Sequence, residues 1–282
     1  MFEIKSKTKI LDLSMPVVMG IVNVTPDSFS DGGQFDNFDA ACAQVDKLVA
    51  EGAMILDIGG ESTRPGATEV TLEQELTRVI PVIEYAAKKY ASAADKIWIS
   101  IDTSKPEVMQ AAVNAGANMI NDIRALQLEG ALAMAATLQV PVCLMHMKGE
   151  PKDMQDSPEY QDIILEVSDF FDARVHACLD AGIEREHILL DPGFGFGKTL
   201  EHNYQLLAQL PALHAFHLPI LIGLSRKRMI GELLQREVNE RLAGSLAGAL
   251  IAAQQGARIL RVHDVAETHD VLSVMSATMA SH

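Results

Sequence analysis

The chain has 282 residues, 48% hydrophobic and 22% charged, with a net charge of −15. That length can bury a large core, as one α/β domain or two smaller ones, and so acidic a surface repels phosphate backbones, which argues against a nucleic-acid partner. No apolar run reaches membrane-span length, and the N-terminus lacks the apolar core of a signal peptide. Cys42, Cys143 and Cys178 are odd in number and widely spaced, with no Cys-x-x-Cys pair; they read as buried thiols of a cytoplasmic protein, not as a disulfide frame or a zinc site.

Residues 1–14 precede the first repeating unit and are expected to form a small hairpin. Short apolar runs then recur at 17–22, 54–58, 97–101, 118–121, 140–145, 187–190, 219–223 and 258–262, with the β-branched look of interior strands. The segments between them carry helix signals. Residues 39–50 have apolar positions at three- and four-residue spacing, and Thr71 with Glu73 and Glu75 opens the next helix on acids. Pro106 stands near a helix start, where its missing N–H costs little, and Gly52, Gly116, Gly182 and Gly256 sit where helices end. Eight strand–helix units in one domain spanning 1–282 predict an α/β fold, a (β/α)8 TIM barrel, with the N-terminal hairpin closing its floor. A doubly wound open sheet is the rival that periodicity alone leaves standing.

Each strand run ends on a polar residue. In order these are Asn23; Asp57 with Glu61-Ser-Thr-Arg64-Pro-Gly; Asp102; Asn121-Asp122; His146; Asp191; Ser225-Arg-Lys227; and Arg261-Val-His263. One such residue is a turn former, but eight in succession point to chemistry at the carboxyl ends of barrel strands. Asp191-Pro-Gly-Phe-Gly-Phe-Gly-Lys198 fails as a Walker loop because Pro192 replaces the required glycine, and its alternating glycines fail as a dinucleotide fingerprint. It reads as a close-approach loop that exposes Asp191, with Phe194 in the core and Phe196 as core or pocket wall. Ser225 is expected to cap the helix beginning near Met229, and Ser225-Arg-Lys-Arg228 with Arg261 and His263 forms the basic cluster an anionic substrate needs. The acids and amides Asp57, Asp102, Asn121, Asp122 and Asp191 could read the edge of a flat heterocycle, since carboxylates accept adjacent N–H donors in pairs. Among them Asp57 and Asp122 are the two best explained as structural. His146 stays ambiguous.

Gly20-Ile-Val-Asn-Val-Thr-Pro-Asp-Ser-Phe-Ser-Asp-Gly-Gly33 and Gly59-Gly-Glu-Ser-Thr-Arg-Pro-Gly66 resemble the two signature loops of the dihydropteroate synthase family. Ile99-Ser-Ile-Asp-Thr-Ser-Lys-Pro106, Ile120-Asn-Asp-Ile123, Asp191-Pro-Gly-Phe-Gly-Phe-Gly-Lys198, Ser225-Arg-Lys227 and Arg261-Val-His263 match that family in order. The resemblance covers nearly the whole chain. It implies condensation of 6-hydroxymethyl-7,8-dihydropterin diphosphate with 4-aminobenzoate, releasing diphosphate, with sulfonamides as competitors. It implies pterin binding by Asp102, Asn121, Asp191 and Lys227. Diphosphate falls to Asn23, Thr63, Arg64, Arg261 and His263, with Asn23 at a Mg²⁺ site. Aminobenzoate falls to Phe29, Thr63, Pro65, Lys227 and Arg228, under a mobile lid that carries Phe29. Arg228 stands where some members have Ser, so its contact could use side chain or backbone. Asp102, Lys227, Arg261 and His263 are the implied catalytic residues. A pterin-dependent methyltransferase and a non-catalytic pterin-binding homologue are the alternatives, but the former has no use for the Arg-x-His and Ser-Arg-Lys pattern and the latter is expected to have lost it. The small apolar run 242–253, with the family's habit, implies a homodimer.

Overall fold

The computed structural model describes residues 2–6, 9–25, 34–62, 70–90, 97–149, 154 and 158–281. After a two-stranded antiparallel hairpin, β1 (Glu3–Ser6) and β2 (Lys9–Asp12), the chain alternates strand and helix. The order is β3 (Val17–Asn23), α1 (Gln34–Ala50), β4 (Ile55–Gly59), α2 (Leu72–Lys89), β5 (Trp98–Asp102), α3 (Pro106–Ala115), β6 (Met119–Asp122) and α4 (Ala131–Leu138). It continues through β7 (Val142–Met145), α5 (Ile163–Asp180), β8 (Ile188–Asp191), α6 (Leu200–Ala208), β9 (Leu221–Ile222), α7 (Arg228–Leu234), α8 (Leu242–Gln254), β10 (Ile259–Val262) and α9 (Val265–Met279). The eight strands from β3 to β10 form one parallel sheet in the order β8-β7-β6-β5-β4-β3-β10-β9. A parallel bridge between Leu190 and Ile220 joins its two ends, and the Leu190 N–H donates to the Pro219 carbonyl at 3.0 Å. The sheet closes on itself, so the open-sheet alternative is rejected and the (β/α)8 barrel stands.

The period-2 alternation of a strand sorts its residues into two cores. Val18, Val22, Leu56, Ile58, Ile99, Ile101, Ile120, Leu144, Leu190 and Leu260 face out and pack under the helices. A separate cluster takes one residue from each barrel strand: Met19, Ile55, Trp98, Met119, Cys143, Leu189, Leu221 and Ile259. Ile4, Leu11 and Leu13 from the hairpin complete it, all buried, so the hairpin stoppers the amino-terminal end of the barrel as expected. Two residues further along, the inward side chains turn polar on five of the eight strands, at Asp57, Ser100, Asn121, Asp191 and Arg261.

Helix boundaries follow their local chemistry. The Thr71 hydroxyl accepts from the Gln74 N–H while the Gln74 side chain accepts from the Thr71 N–H, a reciprocal cap on α2. Pro106 is at the first turn of α3. Gly52, Gly116, Gly182 and Gly256 all take positive φ, the left-handed conformation that ends a helix cheaply only for glycine.

Most barrel strands reach one residue beyond the apolar runs. Asn23, Gly59, Asp102, Asp122 and Asp191 are paired strand residues and not the first residues of loops. Hydropathy marks where the core stops, but the hydrogen-bond ladder continues to the barrel rim.

The expected cap at Ser225 is not made. Arg226 has φ +57, a turn in which the Lys227 N–H donates to the Leu224 carbonyl, and α7 starts only at Arg228. Ser225 instead faces the last strand.

Candidate active site at the carboxyl end of the barrel

Above the apolar floor, the inward positions of β4, β5, β6, β8 and β10 bring Asp57, Ser100, Asn121, Asp191 and Arg261 into the barrel, with Asp102 one step higher. Arg261 is the centre of this group. Its Nε donates to Asp57 Oδ2 at 2.5 Å and its Nη2 to Asp102 Oδ2 at 2.7 Å. The Asn121 amide also donates to Asp57 Oδ2, at 3.1 Å. Asp57 is fully buried. It was best explained as structural from sequence, but it lies inside the site and orients two of its members. Asp57 is two residues from Ile55, which points into the barrel, so it shares that inward face. Asp122, in contrast, faces out and takes the Arg124 and Leu126 N–H groups at 2.9 and 2.8 Å, forming the turn after β6.

Three carboxylates meet two cations in a largely buried space, with Asp57 and Asp191 buried and Asp102, Lys227 and Arg261 half-buried. Burial pushes the Asp102 carboxyl up to about 7, against the pull of Arg261 and with the repulsion of Asp57 adding to the rise. Burial raises Asp191 too, opposed first by Lys227 and then by the hydrogen bond from the Gly193 N–H. Lys227 is pulled down to about 8 by burial, opposed by Asp191. Asp57 and Asp102 together keep Arg261 protonated.

The expected basic cluster gathers only in part. Lys227 Nζ donates to the Phe194 carbonyl at 2.5 Å and lies 4.6 Å above the centre of the Phe196 ring. Phe194 is therefore core and half-buried Phe196 is pocket wall. Arg226 turns away to pair with Asp264. Arg228 is exposed and ion-pairs with Glu232 at 2.5 Å, one helical turn on. Its side chain is 71% exposed. His263 follows β10, and the Ser225 hydroxyl bridges its backbone N–H at 3.3 Å and its Nδ1 at 3.1 Å. Asn23 ends β3 half-buried at the rim. Phe29, Thr63, Arg64 and Pro65 lie outside the described residues.

Sequence reasoning left two buried ionisable residues without a role, Lys198 and His146. Lys198 Nζ meets His146 Nδ1 at 2.9 Å beneath the loop that follows β8. The three cysteines are buried and unpaired. Among the described residues no helix is long and apolar enough to cross a membrane.

A site of this composition can hold a flat, polar ring by its edge, surround it with fixed charge and face an anion at the rim. The pattern of a family described as pterin binding enzyme matches residues 19–263. The dihydropteroate synthase of Escherichia coli strain K12 is 55% identical over 271 residues, 96% of this chain and 94% of that protein. The Yersinia pestis dihydropteroate synthase, solved as a sulfonamide drug complex, superposes with a TM-score of 0.93 at 52% identity, over 99% of this chain and 100% of that one. The Xanthomonas albilineans dihydropteroate synthase with 4-aminobenzoic acid gives 0.92 at 54% identity, over 99% and 98%.

Proposed function

We infer the activity from the premise that this chain belongs to the dihydropteroate synthase family of pterin-binding enzymes: it is a dihydropteroate synthase. It joins 6-hydroxymethyl-7,8-dihydropterin diphosphate to 4-aminobenzoate, giving 7,8-dihydropteroate and diphosphate. The single observation that carries this reading is the group of buried Asp57, Asn121 and Asp191 with half-buried Asp102, Arg261 and Lys227 at the carboxyl end of the barrel.

Asp191, Asn121 and Lys227 hold the pterin edge, the carboxylate accepting ring and amino N–H groups and the ammonium meeting ring acceptors. The aryl amine is neutral at pH 7 and needs no strong base. The demanding step is loss of diphosphate from the pterin methylene, and positive charge left on the pterin is stabilised by Asp102. Arg261 uses Nε and Nη2 on Asp57 and Asp102, so Nη1 is the nitrogen it offers the departing diphosphate, with His263 beside it. Phe29, Thr63, Arg64, Pro65 and the backbone of Arg228 are assigned to the aminobenzoate end, where sulfonamides compete.

Mg²⁺ suits the rim. It favours oxygen ligands, accepts few from protein and completes its shell with water and phosphate oxygens; Asn23 supplies one neutral amide oxygen at that level. An ion held there would neutralise diphosphate charge. The homodimer reading is supported by the exposed apolar side chains of Leu233, Leu234, Val238, Leu242, Ile251, Val274 and Met279 on and beside α7, α8 and α9. Three buried free thiols support a reducing cytoplasmic location.

A diphosphate-release assay tests the whole reading. Release is expected only with both substrates present and Mg²⁺ supplied; release independent of aminobenzoate, or none with purified folded enzyme, overturns it.

A further inference from the structure

The loop after β8 is tightly folded. Gly193 and Gly197 take φ +68 and +59, and a Cβ on either would stand 1.9 Å from the His146 carbonyl oxygen or 2.1 Å from that of Lys148. The loop after β7 therefore lies directly against the loop after β8. Across this contact runs one buried side chain. Lys198 is 3% exposed, and its Nζ reaches the Gly193 carbonyl at 2.8 Å, the Phe196 carbonyl at 3.1 Å and His146 Nδ1 at 2.9 Å. An ammonium has three donors, and these three acceptors use them all. Around this point, the His146 N–H donates to the Asp191 carbonyl at 2.8 Å and the Gly193 N–H to Asp191 Oδ1 at 2.8 Å. The Phe194 carbonyl of the same loop receives Lys227.

We propose that Lys198 and His146 are a positioning pair for pterin recognition: the Lys198 ammonium, seated on the neutral His146 ring, fixes the 193–197 loop so that Asp191 and Lys227 present their charges at the pterin edge. Neither touches the pterin, and the proposal rests on the pterin-binding reading above. His146 accepts at Nδ1 and therefore carries its proton on Nε2. Burial and the neighbouring Lys198 charge both keep the ring neutral, pulling it down to about 2, while the Phe170 ring meets it edge-on at 4.9 Å. Burial also pulls the Lys198 ammonium well below its usual range, opposed by Asp191, and its three acceptors are what hold the proton on Lys198 with His146 as acceptor. The pair's electrical effect falls on Asp191, which is faced by Lys227, Arg261 and Lys198 together with the Gly193 N–H. Removing the Lys198 charge makes the carboxylate harder to ionise, so the pH below which pterin binding fails moves upward.

The test titrates 6-hydroxymethylpterin calorimetrically into intact enzyme across pH, alongside steady-state kinetics with both substrates. Lys198→Met is expected to weaken pterin binding by about tenfold or more, to raise KM for the pterin substrate more than it lowers kcat, and to shift the acid limb of binding to higher pH. His146→Gln, whose amide oxygen can take the ammonium, is expected to stay near wild type. His146→Phe, which keeps the packing on Phe170 but offers no acceptor, should resemble Lys198→Met, and it decides the matter if Lys198→Met does not fold. A folded Lys198→Met or His146→Phe enzyme with unchanged pterin affinity and an unmoved acid limb overturns the proposal. Failure of the wild-type enzyme to form product would reject the parent reading instead, so the two are distinguished.

Discussion

Asp57, Asp102 and Asp191 set three carboxylates against Arg261 and Lys227, one negative charge in excess within a buried space. Asp102 shows the consequence. Its folded-state carboxyl, near 7, holds a proton more tightly than the ordinary value of 3.8, so between those values the folded chain binds more protons than the unfolded one. Stability therefore falls as pH rises through that window. Asp102→Asn removes this slope: the mutant gains stability relative to wild type on going from pH 5 to pH 8, as followed by urea unfolding. A pH-independent difference between the two proteins would mean that Asp102 is ionised throughout. In kinetics the same variant should lower kcat more than it raises KM, since the carboxylate acts on charge that develops in the transition state. A change confined to KM would make Asp102 a binding residue only. Lys227, pulled down to about 8, loses its proton at mildly alkaline pH, and pterin affinity should decline from there. Lys227→Arg keeps its charge above pH 12, so its alkaline limb should lie at least two pH units higher, whatever its absolute affinity; calorimetric titration at pH 7 to 10 checks this, and an alkaline limb left in place would sever the decline from Lys227.

At the scale of elements, the strands carry the site and the loop after β8 braces it. Gly193 is the sharpest case, because its φ of +68 and its 1.9 Å clearance to the His146 oxygen leave no room for a side chain. Gly193→Ala combines backbone strain with a clash against main chain, which cannot rotate away, and is expected to cost on the order of 1–3 kcal/mol of stability. It should abolish measurable pterin binding even at temperatures where the variant remains folded, because it displaces the N–H that holds Asp191. Near-native pterin affinity in a folded Gly193→Ala enzyme would show that the loop tolerates movement. By contrast Gly182 meets nothing within 4 Å, and Gly182→Ala should affect stability through its φ of +89 alone and leave pterin binding unchanged. The pair of variants separates a conformational glycine from one required by close approach.

For the whole molecule, the barrel is stoppered at one end and functional at the other, and each half can be probed without the other. Trp98, fully buried in the floor cluster beside Ile4 and Leu13, should cost about 3–5 kcal/mol when changed to Ala, seen as a lower unfolding midpoint. Light scattering at micromolar concentration should give twice the 30.6 kDa chain mass; a monomer mass would reject the dimer. Much of this architecture was legible in the chain itself. The apolar runs gave eight strands, the glycines and Pro106 punctuated the helices, and the polar residues ending the runs marked the active end, because these are local consequences of side-chain chemistry and backbone sterics. Asn121, Asp191, Lys227 and Arg261 could be named from that pattern and from resemblance. Three things waited for the tertiary structure. Closure of the sheet depends on Leu190 meeting Ile220, a pairing no local periodicity encodes. Arg226 and Arg228 share a basic run with Lys227, yet they pair with Asp264 and Glu232 while Lys227 meets the loop after β8. Asp57, Lys198 and His146 acquire their parts only from partners that arrive from distant strands and loops, since a buried charge takes its meaning from what is folded against it.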